Sequence, residues 1–487
     1  MNTSGRLHQY RLAIAIIPCW LGIAGLSLAF GQAWAQSATT NSADVFVQDS
    51  PRDPMTTADA AGLLRTFTAS GAIDTSNPFF QVLGTNGRSC NSCHRQEDAW
   101  SVTPSHIQAR FNATGGTDPI FRTNDGSNTP FANVSTVAAR RQAYSMLLNR
   151  GVLRIGIGIP AGAEFNLSEV DDPYHYASAA ELSMFRRPLP STNLGFLTAV
   201  MWDGRETAVK FLPPMDAGVQ DADVVASLQH QAIDATMGHG QAAVPPSTAQ
   251  LAQIVEFEMA LTTAQVRDNR AGWLNAHDAL GGPRILANQR FYVGINDTLG
   301  ADPTGAVFNP ASMNLFSAWS VRDNDDGSTD ARASVLRGQT LFNTLPMTIS
   351  GVGGLNDALG VATIQGTCTT CHSAPNIGNH SVALPLNIGL ADASRRTPDM
   401  PLYTLTNAAT HATIQTTDPG LALITGKWKD IGKFKGPILR GLAGRAPYFH
   451  NGSAATLEDA VDFYNVRFNI GISAHQKRDL VAFLRAL

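Results

Sequence analysis

The sequence predicts a mostly helical protein made of two tandem domains of one design, with long loops inserted in each. Two observations lead to this prediction. A five-residue motif occurs twice, as Cys90-Asn91-Ser92-Cys93-His94 and as Cys368-Thr369-Thr370-Cys371-His372. Each copy is followed by a helical segment of the same pattern, because Ile254-Val255-x-Phe257-x-x-x-Leu261 matches Leu480-Val481-x-Phe483-x-x-x-Leu487. A motif and a closing helix that recur together indicate a duplicated unit.

The repeated motif is the C-x-x-C-H signature of c-type haem attachment. Two thiols at this spacing can add to the two vinyl groups of one porphyrin, and the next histidine can then bind the iron. The alternatives are a thioredoxin-like redox pair or half of a zinc site. Cys19 is the only cysteine outside the motifs. We therefore expect two covalently bound haem c groups in two cytochrome c-like domains, attached through Cys90, Cys93, Cys368 and Cys371, with His94 and His372 on the irons.

Residues 1–35 are predicted to be a secretory signal. Arg6 and Arg11 form a positive start, an apolar run follows at residues 12–30, and Ala33-Trp34-Ala35 offers a small-x-small cleavage site. Cleavage after Ala35 would place the mature protein in the periplasm. This agrees with haem c attachment, which bacteria complete outside the cytoplasmic membrane. The alternative is an uncleaved membrane anchor, because the apolar run approaches the length that spans a bilayer.

Composition is that of a globular protein, with 487 residues of which 44% are apolar and 15% charged. The 43 glycines and 26 prolines favour long, turn-rich connections. Removal of the leader takes away two arginines and no acidic residue, which leaves 33 basic and 39 acidic residues and a formal charge of −6. This balance argues against nucleic acid as a partner.

The first domain is predicted at residues 36–295. A helical pattern begins near Thr56, with an apolar stripe at residues 61–67. A short helix is expected over Val137 to Leu148 and a long one over Ser247 to Gln265. The intervening chain is loop-rich, with turn signals such as Thr117-Asp118-Pro119.

The second domain is predicted at residues 331–487, after a linker at residues 296–330 that is rich in Gly, Asp, Asn and Pro. An amphipathic helix, Ala331 to Phe342, precedes the second motif. Two further helices are expected, Ala455 to Tyr464, which carries acidic residues in its early turns as the helix dipole prefers, and Ala474 to Leu487.

Three further segments resemble a known family: Met201-Trp202-Asp203-Gly204-Arg205, Pro447-Tyr448-Phe449-His450-Asn451-Gly452 and Thr456-Leu457-Glu458-Asp459-Ala460-Val461. Together with the haem motifs they resemble the bacterial dihaem cytochrome c peroxidases and their relative, the dihaem maturase of methylamine dehydrogenase. The resemblance implies that hydrogen peroxide is reduced to water at the N-terminal, His94 haem. Electrons would come from the C-terminal, His372 haem, supplied by a small cytochrome c or cupredoxin. The oligomeric state stays open, a homodimer included.

The distal ligand of the His372 haem is the point where the chain departs from the peroxidases. They have a methionine fourteen residues after the histidine of P-Y-F-H-x-G, and here that place is Tyr464. The maturase carries a tyrosine ligand there, which implies that Tyr464 binds the second iron. A phenolate stabilises ferric over ferrous iron, whereas a thioether does the reverse. The alternative is that Tyr464 packs against the ring and Met400 is the ligand.

The resemblance also names candidates around the first haem. Trp202 matches the tryptophan between the two haems that relays electrons; otherwise it is a core residue beside a turn. Heterolysis of peroxide requires a group that accepts and returns a proton. In the family a glutamate has this role, and the corresponding segment here, residues 231–239, contains no glutamate. Gln231 would be the family glutamine, with His239 or Asp234 as the acid–base group. His106 could instead cap the first iron in a resting state.

Calcium is doubtful as a further cofactor. Family members bind it between the domains through an asparagine side chain and backbone carbonyls. Arg445 replaces the threonine of the T-A-P-Y segment, and Arg187 falls near the asparagine position. Two arginines disfavour a divalent cation, and a guanidinium in its place is the alternative.

Two other functions remain open on the sequence. The tyrosine ligand favours a maturase-like oxidase that oxidises a side chain on a partner protein through a high-valent dihaem state. The other alternative to the peroxidase is a pure dihaem electron carrier, with both irons six-coordinate. A ferric high-spin signal that responds to peroxide excludes the carrier, and rapid turnover of reduced cytochrome c supports the peroxidase.

Overall fold

The computed structural model describes residues 53–207, 221–320 and 329–487, with the side chains of 221–223 left aside. The predicted leader and its cleavage point lie outside the described residues. Helices account for 31% of the structure and strands for 16%, so the mostly helical class is not confirmed. No helix among the described residues is long and apolar enough to cross a membrane.

The helices fall into three groups along the chain. Those before residue 240 are Pro104–Thr114, Val137–Ala143, Ser145–Arg150 and Asp221–Gly238. Those in the middle are Thr248–Ala260, Pro283–Ala287, Thr329–Thr344 and Asn356–Leu359. The last are Ala422–Thr425, Leu457–Arg467 and Ala474–Arg485.

Side-chain caps start three of the longer helices. Ser247, Thr456 and Ser473 each accept a hydrogen bond from the backbone N–H three residues later, and the side chain there bonds back to the cap. Such capping boxes satisfy backbone donors that the first turn leaves without partners. The predicted helices in these places are confirmed, with ends that differ by a few residues.

The closing helix Ala474–Arg485 packs against Thr329–Thr344, the helix predicted ahead of the second motif. Gly338 makes this approach possible, because a Cβ atom there would lie 2.0 Å from the Asp479 carbonyl oxygen. Val335 and Phe342 meet Leu480 in the same core. This pair of helices forms the support on which the second motif sits.

The predicted helix near Thr56 is wrong, because this segment forms the strands Thr56–Ala58 and Gly62–Phe67. The Asp59 carboxylate accepts hydrogen bonds from the backbone N–H groups of Ala61 and Gly62, which turns the chain between the strands. Neighbouring side chains of a strand point to opposite faces of the sheet, so the adjacent Leu63, half-buried, and Leu64, buried, do not share a helical stripe.

The long helix predicted to reach Gln265 ends at Ala260, and Thr262–Asp268 continues as a strand. That strand pairs with Gly62–Phe67, and the four-stranded antiparallel sheet is completed by Thr56–Ala58 and Gly272–Trp273. Threonine and valine favour a pleated strand over a helix, and the pairing across the sheet decides the outcome.

Strands from both halves of the chain share a second sheet. Phe165–Asp171 pairs with Leu402–Asn407, which also pairs with Thr413–Thr416. Two separate two-stranded sheets pair Leu153–Ile157 with Leu182–Arg186 and Met347–Ser350 with Thr363–Gly366. The sheet joins segments that the sequence assigns to different domains.

The described part of the predicted linker is packed into the protein. Asn296 is 8% exposed, and its side-chain amide donates to the carbonyl oxygens of Asn309 and Ser373. Trp319 lies in the core and donates its indole N–H to the Ala276 carbonyl. This segment therefore contacts the chain around the second motif.

The segments Met201-Trp202-Asp203-Gly204 and Phe449-His450-Asn451-Gly452 form turns with matching φ angles. Met201 has φ 66° and Gly204 φ 73°, while Phe449 has φ 67° and Gly452 φ 66°. A positive φ at a non-glycine residue is uncommon, so the two turns share an unusual local conformation.

Candidate functional site

Each C-x-x-C-H motif begins with one tight helical turn, Cys90–Ser92 in the first copy and Cys368–Thr370 in the second. In both copies the histidine N–H donates to the carbonyl oxygen of the first cysteine at 3.0 Å. This shared turn brings the two thiols and the imidazole together. The four cysteines are free of disulfides, as thioether attachment requires.

The two motif histidines are held in the same way. The Nδ1 atom of His94 lies 3.1 Å from the Trp100 carbonyl oxygen, and that of His372 lies 2.6 Å from the Gly378 carbonyl oxygen. Because a carbonyl only accepts, Nδ1 donates and Nε2 is left with its lone pair free to bind a metal. Burial lowers the pKa of His94 to about 4 and also lowers that of His372, which favours the neutral, ligating form.

A large cavity opens in front of the first motif. Its empty volume is about 1630 Å³, including its mouth, and Cys90, Cys93 and His94 form part of the wall. The attachment thiols, an oriented imidazole and a mainly apolar space of this size fit a haem held by this motif.

Three of the predicted catalytic residues, Trp202, Gln231 and His239, line the same cavity. His239 lies one residue beyond the helix Asp221–Gly238, and its Nδ1 atom is 2.5 Å from Asp125 Oδ2. Arg88 donates to the other oxygen of that carboxylate, also at 2.5 Å. Burial alone would raise the pKa of Asp125, but Arg88 and His239 hold it below its usual value.

Two alternatives from the sequence are placed elsewhere. Asp234 is exposed and lies with Glu206 and His230, each offering one atom within 4.8 Å of the others. The His106 side chain is 48% exposed, and its Nδ1 atom is 2.7 Å from Asp98 Oδ1. Neither Asp234 nor His106 is among the described residues that line the cavity.

Glu258 is a cavity residue that the sequence reasoning did not assign. It is 6% exposed, and its Oε2 atom has no hydrogen-bond partner among the described residues. Burial raises its pKa to about 7, although Ser191 lowers it slightly. The sequence did indicate that Glu258 is buried, because it lies on the same helix face as the apolar residues Leu251, Ile254 and Val255.

Tyr464 lies beside the second motif. Its ring centroid is 6.5 Å from that of His372, with the planes at 76°. It stacks on Phe468 and belongs to the apolar cluster that includes Cys368 and Cys371. Burial raises the pKa of the Tyr464 phenol, and the neighbouring cysteines add to this shift.

Met400, the alternative ligand, is placed in a different cluster. It is 2% exposed and packs with Met146, Val152 and Phe185. Of the two candidate ligands, Tyr464 therefore lies beside His372, and Met400 packs in another cluster.

Trp202 connects the cavity to the second half of the chain. Its indole N–H donates to the Arg187 carbonyl oxygen at 2.8 Å. Its ring meets that of His450, which stacks on Phe434 with a centroid distance of 4.0 Å. These contacts fix the tryptophan between the cavity and the P-Y-F-H-N-G turn.

The place where the resemblance implies calcium holds a guanidinium. Arg187 donates to the carbonyl oxygens of Arg150 at 2.9 Å, Val102 at 2.6 Å and Arg445 at 3.1 Å. The Arg445 guanidinium donates to the Ile438 carbonyl oxygen nearby. A fixed cation already takes these oxygens, so the residues present do not fit a calcium ion.

Curated proteins share parts of this chain, although no family model matches it. The cytochrome-c peroxidase IdrP2 of Denitromonas iodatirespirans is 34% identical over 142 residues, which are 27% of this chain and 38% of that protein. IdrP1 of Pseudomonas sp. (strain SCT) is 33% identical over 140 residues, 25% of this chain and 36% of that protein. The cytochrome c551 peroxidase of Nitrosomonas europaea is 31% identical over 121 residues, 25% of this chain and 30% of that protein. The chain thus spans less than half the length of these relatives.

Solved structures give a weaker likeness. A MauG-like protein associated with microbial copper homeostasis aligns with a TM-score of 0.34 and 16% identity, over 91% of this chain and 95% of that one. A variant of the diheme peroxidase BthA from Burkholderia thailandensis aligns with a TM-score of 0.29 and 15% identity, over 89% and 95% of the two chains. Scores this low carry no inference, and the assignment depends on the motifs and the curated relatives. Over about a quarter of its length the chain is therefore similar to curated bacterial cytochrome-c peroxidases.

Proposed function

We propose that the protein is a dihaem c-type peroxidase that reduces hydrogen peroxide to water in the cavity at His94. The observation that carries the proposal is that His94, Gln231, His239 and Trp202 line one cavity. A proximal ligand, an acid–base group with an orienting amide beside it, and an electron relay in one enclosed space are the parts this reaction needs. The curated relatives named cytochrome-c peroxidase support the same class of activity.

Cys90, Cys93 and His94 would hold one haem, and Cys368, Cys371, His372 and Tyr464 the other. Haem iron supplies the electron exchange that cleaves the O–O bond of peroxide. The hydrogen bonds from the histidine Nδ1 atoms to backbone carbonyls aim each Nε2 atom and keep it unprotonated.

His239 serves as the acid–base group of the cavity. Asp125 accepts the Nδ1 proton and is itself fixed by Arg88, so the remaining ring nitrogen, Nε2, is the one that can take and return a proton. A proton removed from one peroxide oxygen and given to the other makes water the leaving group. Gln231, from the same helix, offers an amide that can orient the peroxide.

Trp202 serves as the relay between the two halves. It lines the cavity and contacts His450, which belongs to the second repeat of the turn. Electrons would enter at the His372 and Tyr464 side from a small cytochrome c or cupredoxin. The two-domain division, at residues 36–295 and 331–487, and export to the periplasm belong to the same proposal.

The test is turnover of a reduced electron donor. Purified holoprotein is first shown to carry two haems per chain, and reduced cytochrome c is then mixed with it and hydrogen peroxide. We expect oxidation of the donor that depends on both protein and peroxide. Fewer than two haems, or ferric spectra that do not respond to peroxide, would overturn the proposal.

A maturase-like oxidase is the second candidate, and the contact between Tyr464 and His372 favours it. An anionic oxygen donor stabilises ferric iron, which slows electron entry from a soluble donor. Peroxide-driven oxidation of a partner protein in stoichiometric amounts, without turnover of reduced cytochrome c, would select this function.

A further inference from the structure

The cavity at His94 carries positive charge that the described residues do not neutralise. Its wall includes Arg187, Lys435, Arg440 and Arg445. Arg187, Lys435 and Arg440 are 5%, 6% and 3% exposed. Within the described parts of the chain, Arg187, Lys435 and Arg445 make no ion pair with a carboxylate, whereas Arg440 Nε donates to a terminal oxygen of Leu487 at 3.0 Å.

The other cations of the wall are paired. Arg88 contacts Asp125, and Arg205 contacts Asp203. Arg186 contacts both Asp203 and Asp418. Among the described lining residues Glu258 is the single carboxylate, and burial raises its pKa to about 7.

Three of these cations have unused donors. No hydrogen bond is found for the Lys435 ammonium among the described residues. Arg440 donates to a carboxylate oxygen of Leu487 and to the Asn376 carbonyl oxygen, but its second terminal nitrogen has no described partner, nor has the Nε atom of Arg445. Arg187 differs, because backbone carbonyls take its donors.

Two of these cations, Lys435 and Arg445, also lie near each other and apart from the attachment thiols. Arg445 acts electrostatically on Lys435 and on Arg187. The charged groups that act on Cys90 and Cys93 are instead Glu258, Arg88, Asp125, Arg110 and Asp118. The cavity therefore has a thiol end and a cationic end.

An unpaired buried charge costs several kcal/mol, so such groups are normally matched by an opposite charge. Burial together with Arg445 lowers the pKa of Lys435 to about 7, and burial lowers that of Arg440 to about 9. Both shifts express the same deficit of negative charge. An anion that enters the cavity removes this cost.

We propose that Lys435 and Arg445 form an anchoring site for the two propionate carboxylates of the haem attached at Cys90 and Cys93. Haem c carries its propionates on the edge opposite the vinyl groups, which matches the separation of the cationic and thiol ends. Two carboxylates would accept from the unused donors of both side chains. The proposal requires the predicted haem but not peroxidase activity.

The site has a consequence for the first haem. Propionates held beside fixed cations stay ionised across neutral pH, so the reduction potential of that haem does not follow pH there. Loss of one cation leaves a propionate less compensated. The ferric state, which carries one more positive charge, is then favoured and the potential falls.

The test compares Lys435→Gln with Lys435→Arg in holoprotein that also carries Glu258→Gln and His239→Gln, so that the other proton-exchanging side chains assigned to the cavity are absent. The potential of the His94 haem is measured by spectroelectrochemistry from pH 5 to 9. For Lys435→Gln we expect a reduction equilibrium weaker by at least tenfold, equivalent to about 59 mV for one electron, and a slope with pH near neutrality. The arginine variant, which keeps the charge, should retain the parent potential and a flat profile.

Equal potentials in the two variants would overturn the proposal. If Lys435→Gln yields no holoprotein, the protein with Glu258→Gln and His239→Gln alone decides, because a slope between pH 6 and 8 there means that the propionates titrate freely. A potential that depends on whether chloride or phosphate is the buffer anion would show a free ion at the site, which also contradicts the proposal. Peroxide turnover is not a readout, so failure here and failure of the proposed function are separable.

Discussion

The Trp202 indole and the His450 imidazole meet edge to face, with ring centroids 6.3 Å apart and planes at 65°. Each ring stands at the same place in one of the two repeated turns. Arg186 donates hydrogen bonds both to Asp203, from the first turn, and to Asp418. All three side chains are buried. Aromatic contact and buried ion pairs thus tie the two halves together at the proposed relay.

Trp202→Phe tests the relay. Phenylalanine keeps an aromatic ring but loses the indole and its hydrogen bond to the Arg187 carbonyl oxygen. We expect electron delivery after peroxide addition to slow at least tenfold, about 1.4 kcal/mol in the barrier, in stopped-flow traces of the second haem. Trp428→Phe is the matched control, because Trp428 packs in the sheet core away from the cavity. An unchanged rate in Trp202→Phe would exclude the relay.

Local features of the fold could be predicted from the sequence, and long-range ones could not. The capped helices follow from their first-turn residues, as at Thr456 and Ser473. Residues 56–67 carry too few apolar positions for their pattern to distinguish a helix from a strand. The segment forms strands because it pairs with Thr262–Asp268, some 200 residues away in the chain.

The site follows the same rule. The two motifs specify their own turns, and the spacing from His450 to Tyr464 identified the residue beside His372. The sequence could not predict that His239 and not Asp234 lines the cavity. The position of the His239 ring depends on its contact with Asp125, which lies 114 residues away in the chain. Glu258 was visible in the helical stripe, but its burial against the cavity comes only from the tertiary fold.

Tyr464→Met tests the second axial ligand. A thioether stabilises ferrous iron relative to a phenolate, so we expect the potential of the second haem to rise and its low-spin ferric EPR signal to change. Tyr464→Phe is the control, since it removes the oxygen without supplying sulfur and should leave that iron high-spin. An EPR spectrum unaltered in both variants would show that Tyr464 is not a ligand.

His239→Gln tests the acid–base group. An amide cannot exchange the proton, and such groups contribute about 10²- to 10⁴-fold to rates, so we expect a loss of this size in the second-order reaction with peroxide. Asp125→Asn should cost less, because it removes only the partner that orients the ring. Asp234→Asn is the control, as Asp234 is exposed outside the cavity, and a loss equal to that of His239→Gln would contradict the assignment.

Glu258→Gln tests the buried carboxyl through stability. Its folded pKa of about 7 lies above the ordinary value of 4.5, so the folded state binds more protons and the wild type loses stability as pH rises from about 4.5 to 7. We expect the variant to match the wild type at pH 5 and to exceed it at pH 8, by up to about 3 kcal/mol. Urea unfolding of holoprotein at both pH values measures this. The exposed Glu256→Gln on the same helix should show no such difference, and parallel curves for Glu258→Gln would refute the shift.

Arg187→Gln tests whether a guanidinium stands in for a metal ion. The wild type should keep its melting temperature in excess chelator, because Arg187 already satisfies the carbonyl oxygens of Arg150, Val102 and Arg445. The variant leaves buried acceptors without donors, each worth about 1–3 kcal/mol, and should unfold at lower denaturant. Added Ca²⁺ should then restore part of the loss in Arg187→Gln and nothing in the wild type, because carbonyl oxygens without a fixed cation suit calcium. Arg187→Lys, which keeps the charge with fewer donors, should fall between the two, and a wild type that is destabilised by chelator would overturn this account.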